Sequence, residues 1–176
     1  MDDMSNKQRQ FDALVRRYSQ DLYRYAVWLC RDTDLAHDLV QETFTRAWKA
    51  IHTLRENAAV KGWLTTILRR EHARLYERKR LDLVNIDDVY IADDTSVEPE
   101  EKQHLRDVRE AISKLEDKYR EPLVLQVLYG FSCDEIAQQL EISKSAVMTQ
   151  LFRARQKLKA ALGDELKRLE PVVSVQ

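Results

Sequence analysis

The chain has 176 residues, with 29 lysines and arginines against 30 carboxylates and only three glycines and three prolines. So few turn formers exclude a fold built from hairpins, and the abundance of Leu, Ala, Glu, Lys, Arg and Gln reads as all-α. Gly62, Gly130 and Gly163 stand too far apart for a phosphate-cradling loop, His37, His52, His72 and His104 show no HExxH spacing, and Cys30 and Cys133 form no CxxC. No catalytic group set, metal or cofactor is therefore expected.

The opening MDDMSNKQRQ is too polar for a signal peptide, and no apolar run approaches the roughly 20 residues that span a membrane. A cytoplasmic protein with reduced thiols and no membrane insertion is the expectation. The net charge of −1 conceals strong segregation. Residues 1–80 hold 16 basic and 11 acidic residues, 81–101 hold no basic and eight acidic residues, and 102–176 hold 13 basic and 11 acidic residues. Two basic modules flank an acidic strip, so the chain is expected to form two small helical domains, 5–80 and 102–163, joined by an acidic flexible linker, 81–101, with a tail at 164–176.

In chain order, Phe11, Leu14, Val15, Tyr18, Leu22, Tyr25, Ala26 and Leu29 recur at helical spacing and predict a first helix from about Gln8 to Cys30. The turn RDTD offers caps for a second helix, about Asp34 to Ile51. Its apolar side carries Leu39, Val40, Thr43, Phe44, Ala47, Trp48 and Ile51. Asp38, Gln41, Glu42, Thr45 and Lys49 form the opposite polar stripe, which on pattern alone is either solvated or a binding face. A loop follows, and a third helix, about Val60 to Arg80, has Trp63, Leu64, Ile67, Leu68 and Leu75 as core positions. Lys61, Arg69, Arg70, Arg74, Arg78, Lys79 and Arg80 surround them. Compensation of the helix dipole accounts for the last cations but not for Arg69, Arg70 and Arg74.

After the acidic strip, Leu105, Val108, Ile112, Leu115 and Tyr119 predict one helix, and Pro122 is expected in the first turn of another, Leu123 to Tyr129, closed by Gly130. Ser132 and Glu135 are spaced as a capping box, and Ser143 is placed to cap a last helix ending near Leu162. The segment FSCDEIAQQLEISKSAVMTQLFRARQKLKAAL thus fits a helix-turn-helix, with Ile136, Ala137 and Leu140 facing Val147 and Leu151 across a turn plugged by Ile142. Glu141 occupies a turn position where many such motifs carry Gly. The second helix presents Lys144, Ser145, Met148, Thr149, Phe152 and Arg153, then Arg155 and Lys157. A helix of this width enters a DNA major groove, with trailing cations suited to phosphate contacts. A generic three-helix packing module is the alternative that spacing leaves open.

The segments DLAHDLVQETFTRAW (34–48) and WLTTILRR (63–70), followed by the terminal helix-turn-helix, resemble bacterial extracytoplasmic-function sigma factors, in that family's order and over roughly residues 8–162. The resemblance implies a protein that binds core RNA polymerase and directs it to promoters, with promoter DNA and an anti-sigma factor as further partners. By carry-over, Asp38, Gln41, Glu42, Thr45 and Lys49 would bind polymerase. Leu54, Arg55, Asn57, Lys61, Trp63, Arg69, Arg70 and Arg74 fall where the family melts and reads the −10 element. Lys144, Ser145, Met148, Thr149, Phe152, Arg153, Arg155 and Lys157 would read the −35 element. Many members carry Asn at the position of Arg70 and basic residues at those of Met148 and Gln150. The acidic strip would thread the cationic nucleic-acid path of the polymerase, or act as a plain spacer. The competing reading is a stand-alone helix-turn-helix regulator whose first helices dimerise or sense a ligand.

Overall fold

The computed structural model describes residues 2–54, 60–81 and 99–163. They form seven α-helices: α1 (Asp2–Cys30), α2 (Thr33–Ala50), α3 (Val60–Leu81), α4 (Pro99–Ser113), α5 (Asp117–Tyr129), α6 (Cys133–Leu140) and α7 (Lys144–Leu162), with a short 3-10 turn at Ile51–Thr53. Helices α1–α3 pack as one compact unit and α4–α7 as another. No strand occurs among the described residues. The expected linker falls largely on 82–98, and the expected tail on 164–176, both outside the described residues.

In the first unit the α1 stripe is buried at Leu22, Tyr25 and Ala26 against Leu39 and Ala47 of α2 and Leu64 and Leu68 of α3. The upstream members Phe11, Leu14, Val15 and Tyr18 are only half-buried. The helix also starts earlier than the apolar period predicted, and ahead of its apolar stripe Gln8 Nε2 donates to Asp12 Oδ1 at 3.1 Å along the exposed face. Asp32 caps α2, its carboxylate accepting from the Leu35 N–H at 2.9 Å. Two threonines lie wholly inside this unit. Thr43 donates to the Leu39 carbonyl at 2.7 Å and Thr65 to the Lys61 carbonyl at 2.8 Å, so each hydroxyl is satisfied within its own helix.

The second unit is arranged around α5, which buries Tyr119, Arg120, Pro122, Leu123, Val124, Leu125 and Tyr129. A helix apolar on nearly every side has no amphipathic signal, and this explains the largest departure from the sequence reading. The helix begins at Asp117, so Pro122 sits inside it rather than in its first turn, and Tyr119 belongs to α5 rather than to the helix before. Pro122 forfeits one intrahelical hydrogen bond. Upstream, Arg120 holds the corner together. Its side chain is 8% exposed, donates to the carbonyls of Ser113 (3.3 Å) and Leu115 (3.0 Å), and pairs with Asp117. Helix α4 starts at Pro99, a favoured residue for a first turn, so the last three residues of the expected linker are helical.

The expected caps form. Gly130 adopts the left-handed conformation at φ 65°, its N–H reaching the Gln126 carbonyl. Ser132 and Glu135 make the reciprocal capping box, and the Ser143 side chain accepts from the Ala146 N–H. Helices α6 and α7 form the helix-turn-helix around Ile136, Val147 and Leu151, with Ala137, Leu140 and Ile142 half-buried. Glu141 takes the left-handed geometry of the turn, φ 56° and ψ 39°, without the freedom of glycine.

Candidate docking face and nucleic-acid interface

On α2, Asp38, Gln41, Glu42, Thr45 and Lys49 are all exposed and share one face. Half-buried Phe44 and Trp48 border that face and pack edge-on against Phe11 of α1, at centroid distances of 6.1 and 5.1 Å. Together with Gln41, Thr45 and Lys49 they line an open groove of about 380 Å³, and Lys7 stands 4.6 Å from the centroid of the Trp48 ring. The expected apolar side of α2 is therefore only partly core: Leu39, Thr43 and Ala47 are buried, whereas Val40, Phe44, Trp48 and Ile51 are half-buried.

The candidate −10 residues separate on inspection. Leu54 is half-buried, its N–H donating to the Ile51 carbonyl at 3.1 Å, while Arg55 and Asn57 lie outside the described residues. Lys61 stands 3.7 Å from Asp21 of α1, and Trp63 and Arg69 are half-buried. Arg70 is exposed. Arg74 is exposed and donates to Glu71 at 2.7 Å. Glu71, absent from the sequence-derived candidates, is a buried carboxylate and is also reached by Arg46 of α2 at 3.0 Å. The available signal was a carboxylate among the cations of RREHAR.

On α7, all eight candidates are exposed, but they do not form one cationic face. At about 100° per residue, Ser145, Met148, Thr149 and Phe152 make the central stripe, opposite the buried Val147, Leu151, Ala154 and Leu158. Met148 is 57% and Phe152 59% exposed. The cations lie on the flanks, each with a partner in its own unit. Lys144 donates to Asp134 at 2.7 Å, and this hydrogen bond raises its pKa. Arg155 donates to the Gln126 side chain at 2.5 Å. Lys157 stands 3.5 Å from Glu116, whose pKa is lowered chiefly by a hydrogen bond from Lys118. The Arg153 guanidinium beside Tyr119 holds that phenol below its usual pKa. Gln150 is half-buried and does not join the exposed stripe.

A helix-turn-helix whose second helix offers an uncharged centre between tethered cations has the form of a DNA-reading element, here in a chain with a second helical unit carrying its own polar face. The sequence profile of sigma-70 region 2 matches residues 14–81, and that of sigma-70 region 4 matches residues 105–158. The ECF RNA polymerase sigma factor SigM of Bacillus subtilis is 35% identical over 153 residues, covering 85% of this chain and 93% of that protein. EcfG of Rhodopseudomonas palustris, also an ECF RNA polymerase sigma factor, is 33% identical, covering 80% of this chain and 78% of its own. Among solved structures, the sigma factor RpoE of Bartonella quintana, crystallised with the anti-sigma factor NepR, superposes with a TM-score of 0.76 at 27% identity, covering 89% of this chain and 98% of that one.

The chain belongs to the extracytoplasmic-function family of RNA polymerase sigma factors, which bind core polymerase and direct transcription initiation at promoters. The match over region 2 sets aside the reading of α1–α3 as the dimerisation or sensing module of a stand-alone regulator. No described helix is long and apolar enough to cross a membrane.

Proposed function

We propose that Asp38, Gln41, Glu42, Thr45 and Lys49 of α2 form the surface through which this sigma factor docks on core polymerase. The carrying observation is that all five are exposed on one helix face bordering the Phe11–Phe44–Trp48 groove. Charge there supplies orientation and partner choice, while the aromatic groove supplies apolar area to bury. The −10 element is read by the segment 54–61 and the outer side of α3, with Arg69, Arg70 and Arg74 following the unpaired strand. The −35 duplex is read by α7, its central stripe on base edges and Arg153, Arg155 and Lys157 on phosphates.

In this reading the protein catalyses no reaction itself and works in the cytoplasm, where core polymerase is. An anti-sigma factor is a fitting regulator, since the superposable sigma factor RpoE of Bartonella quintana was crystallised with the anti-sigma factor NepR. The acidic segment 81–101 fits the cationic nucleic-acid path of the polymerase through its eight carboxylates.

The test is charge reversal at Asp38 and Glu42, read by co-purification with core polymerase. Placing like charges opposite each other costs several kcal/mol, so association is expected to fall by more than about tenfold with helicity intact. Undiminished binding by a folded double variant would reject the docking face.

A further inference from the structure

Four side chains of the first unit alternate in charge from the surface of α2 to that of α3. Arg46 Nε stands 3.0 Å from Glu42 Oε1 and 3.0 Å from Glu71 Oε1, and Arg74 Nη1 stands 2.7 Å from the same Glu71 oxygen. Two atoms in this chain are shared. The Nε of an arginine carries a single hydrogen, which cannot align on two carboxylates at once. The Glu71 oxygen, in turn, accepts a hydrogen bond from Arg74 and stands at ion-pair distance from Arg46. Whatever strengthens one contact at a shared atom weakens the other.

Burial makes that competition consequential. The Glu71 side chain is 8% exposed, whereas Glu42, Arg46 and Arg74 are 48%, 47% and 54% exposed. Water can replace a lost partner for the outer three groups but poorly for Glu71. An unpaired buried carboxylate is costly, so when one guanidinium leaves, the other must hold it.

We infer that Glu71 is a positioning residue that couples polymerase docking on α2 to DNA contact on α3, through the chain Glu42–Arg46–Glu71–Arg74. The inference rests on the two faces assigned above. When a polymerase cation draws Glu42 away, the Arg46 N–H turns wholly to Glu71, and Arg74 is released from the shared oxygen to meet a phosphate. In the other direction, a phosphate that draws Arg74 outward leaves Glu71 to claim Arg46, which frees Glu42 for docking. Linkage requires the two effects to be equal in size.

The test measures affinity of the full-length protein for core polymerase without DNA. Arg74→Gln, on the helix assigned to DNA, is expected to tighten core binding about two- to fivefold, the range of partly exposed ion pairs. Mere structural damage would not raise affinity. In a Glu71→Gln background the same substitution is expected to change nothing. If Glu71→Gln does not fold, a Glu42→Gln background, which severs the chain at its outer end and leaves Arg46 on the buried carboxylate, takes its place, with core affinity compared against Glu42→Gln alone. Weakened or unchanged core binding by Arg74→Gln overturns the coupling, as does tightening that persists in the severed background. The charge reversal at Asp38 and Glu42, run alongside, identifies whether a negative result comes from the docking face itself.

Discussion

The α2–α3 pair and the helix α7 of this sigma factor manage their charges in opposite ways. In α1–α3 the charges cross between helices and run inward, so that a buried carboxylate, Glu71, joins Arg46 of α2 to Arg74 of α3. On α7 the charges stay at the rim. Lys144, Arg153, Arg155 and Lys157 are each tethered to a neighbour in their own unit, and the face between them is the uncharged stripe of Ser145, Met148, Thr149 and Phe152. The first arrangement lets one contact influence another. The second pre-positions cations on either side of the proposed reading surface, which would reduce the side-chain freedom lost on binding.

The contrast breaks if α5 is not the platform that holds the α7 flank. Arg120 ties that platform to α4, so Arg120→Ala should cost about 2–3 kcal/mol, the worth of buried hydrogen bonds made by a charged group. The loss is expected as reduced hydrogen-exchange protection in α4 and α5, with α1–α3 unaffected. Unchanged protection there would remove the platform.

A smaller effect sharpens the reading of the uncharged stripe. Methionine cannot donate to a guanine edge, whereas arginine can do so bidentately. Met148→Arg should therefore change the preferred bases at one or two −35 positions by about 1–2 kcal/mol in a randomised promoter selection. Arg153→Ala should instead weaken binding at every sequence and lower the salt slope by about one. A base-selective loss for Arg153→Ala would move that residue into the reading stripe.

The smallest effect concerns the turn. Glu141 holds a left-handed conformation that glycine adopts without a Cβ penalty. Glu141→Gly should raise the stability of the helix-turn-helix by about 1 kcal/mol in thermal melts, without altering −35 preference. A loss of stability would mean that the carboxylate is held by a contact worth more than the backbone relief.

What the sequence disclosed followed periodicity. The stripe on α2, the capping box at Ser132 and Glu135, and the αL cap at Gly130 are local patterns, and each forms as read. Where period fails, so did the reading. Helix α5 is buried nearly all round, and its start was set at Pro122 because proline is a local signal, whereas the Arg120 anchor acts through carbonyls five and seven residues away. The partners of Arg155 and Arg46 were invisible for the same reason. Gln126 lies 29 residues from Arg155, and Glu71 is reached from Arg46 only once α2 packs on α3.

Thr43 and Thr65 carry a mechanical consequence. Because both hydroxyls close onto carbonyls of their own helices, they bury polarity without setting a register between neighbours. Packed helices whose buried hydroxyls are self-contained can slide by fractions of an ångström against dispersion and the ion pairs Arg46–Glu71 and Lys61–Asp21, the shear type of motion. A pull on α2 from its docking partner would thus reach the core as slippage of one helix along another, with these buried hydrogen bonds left whole.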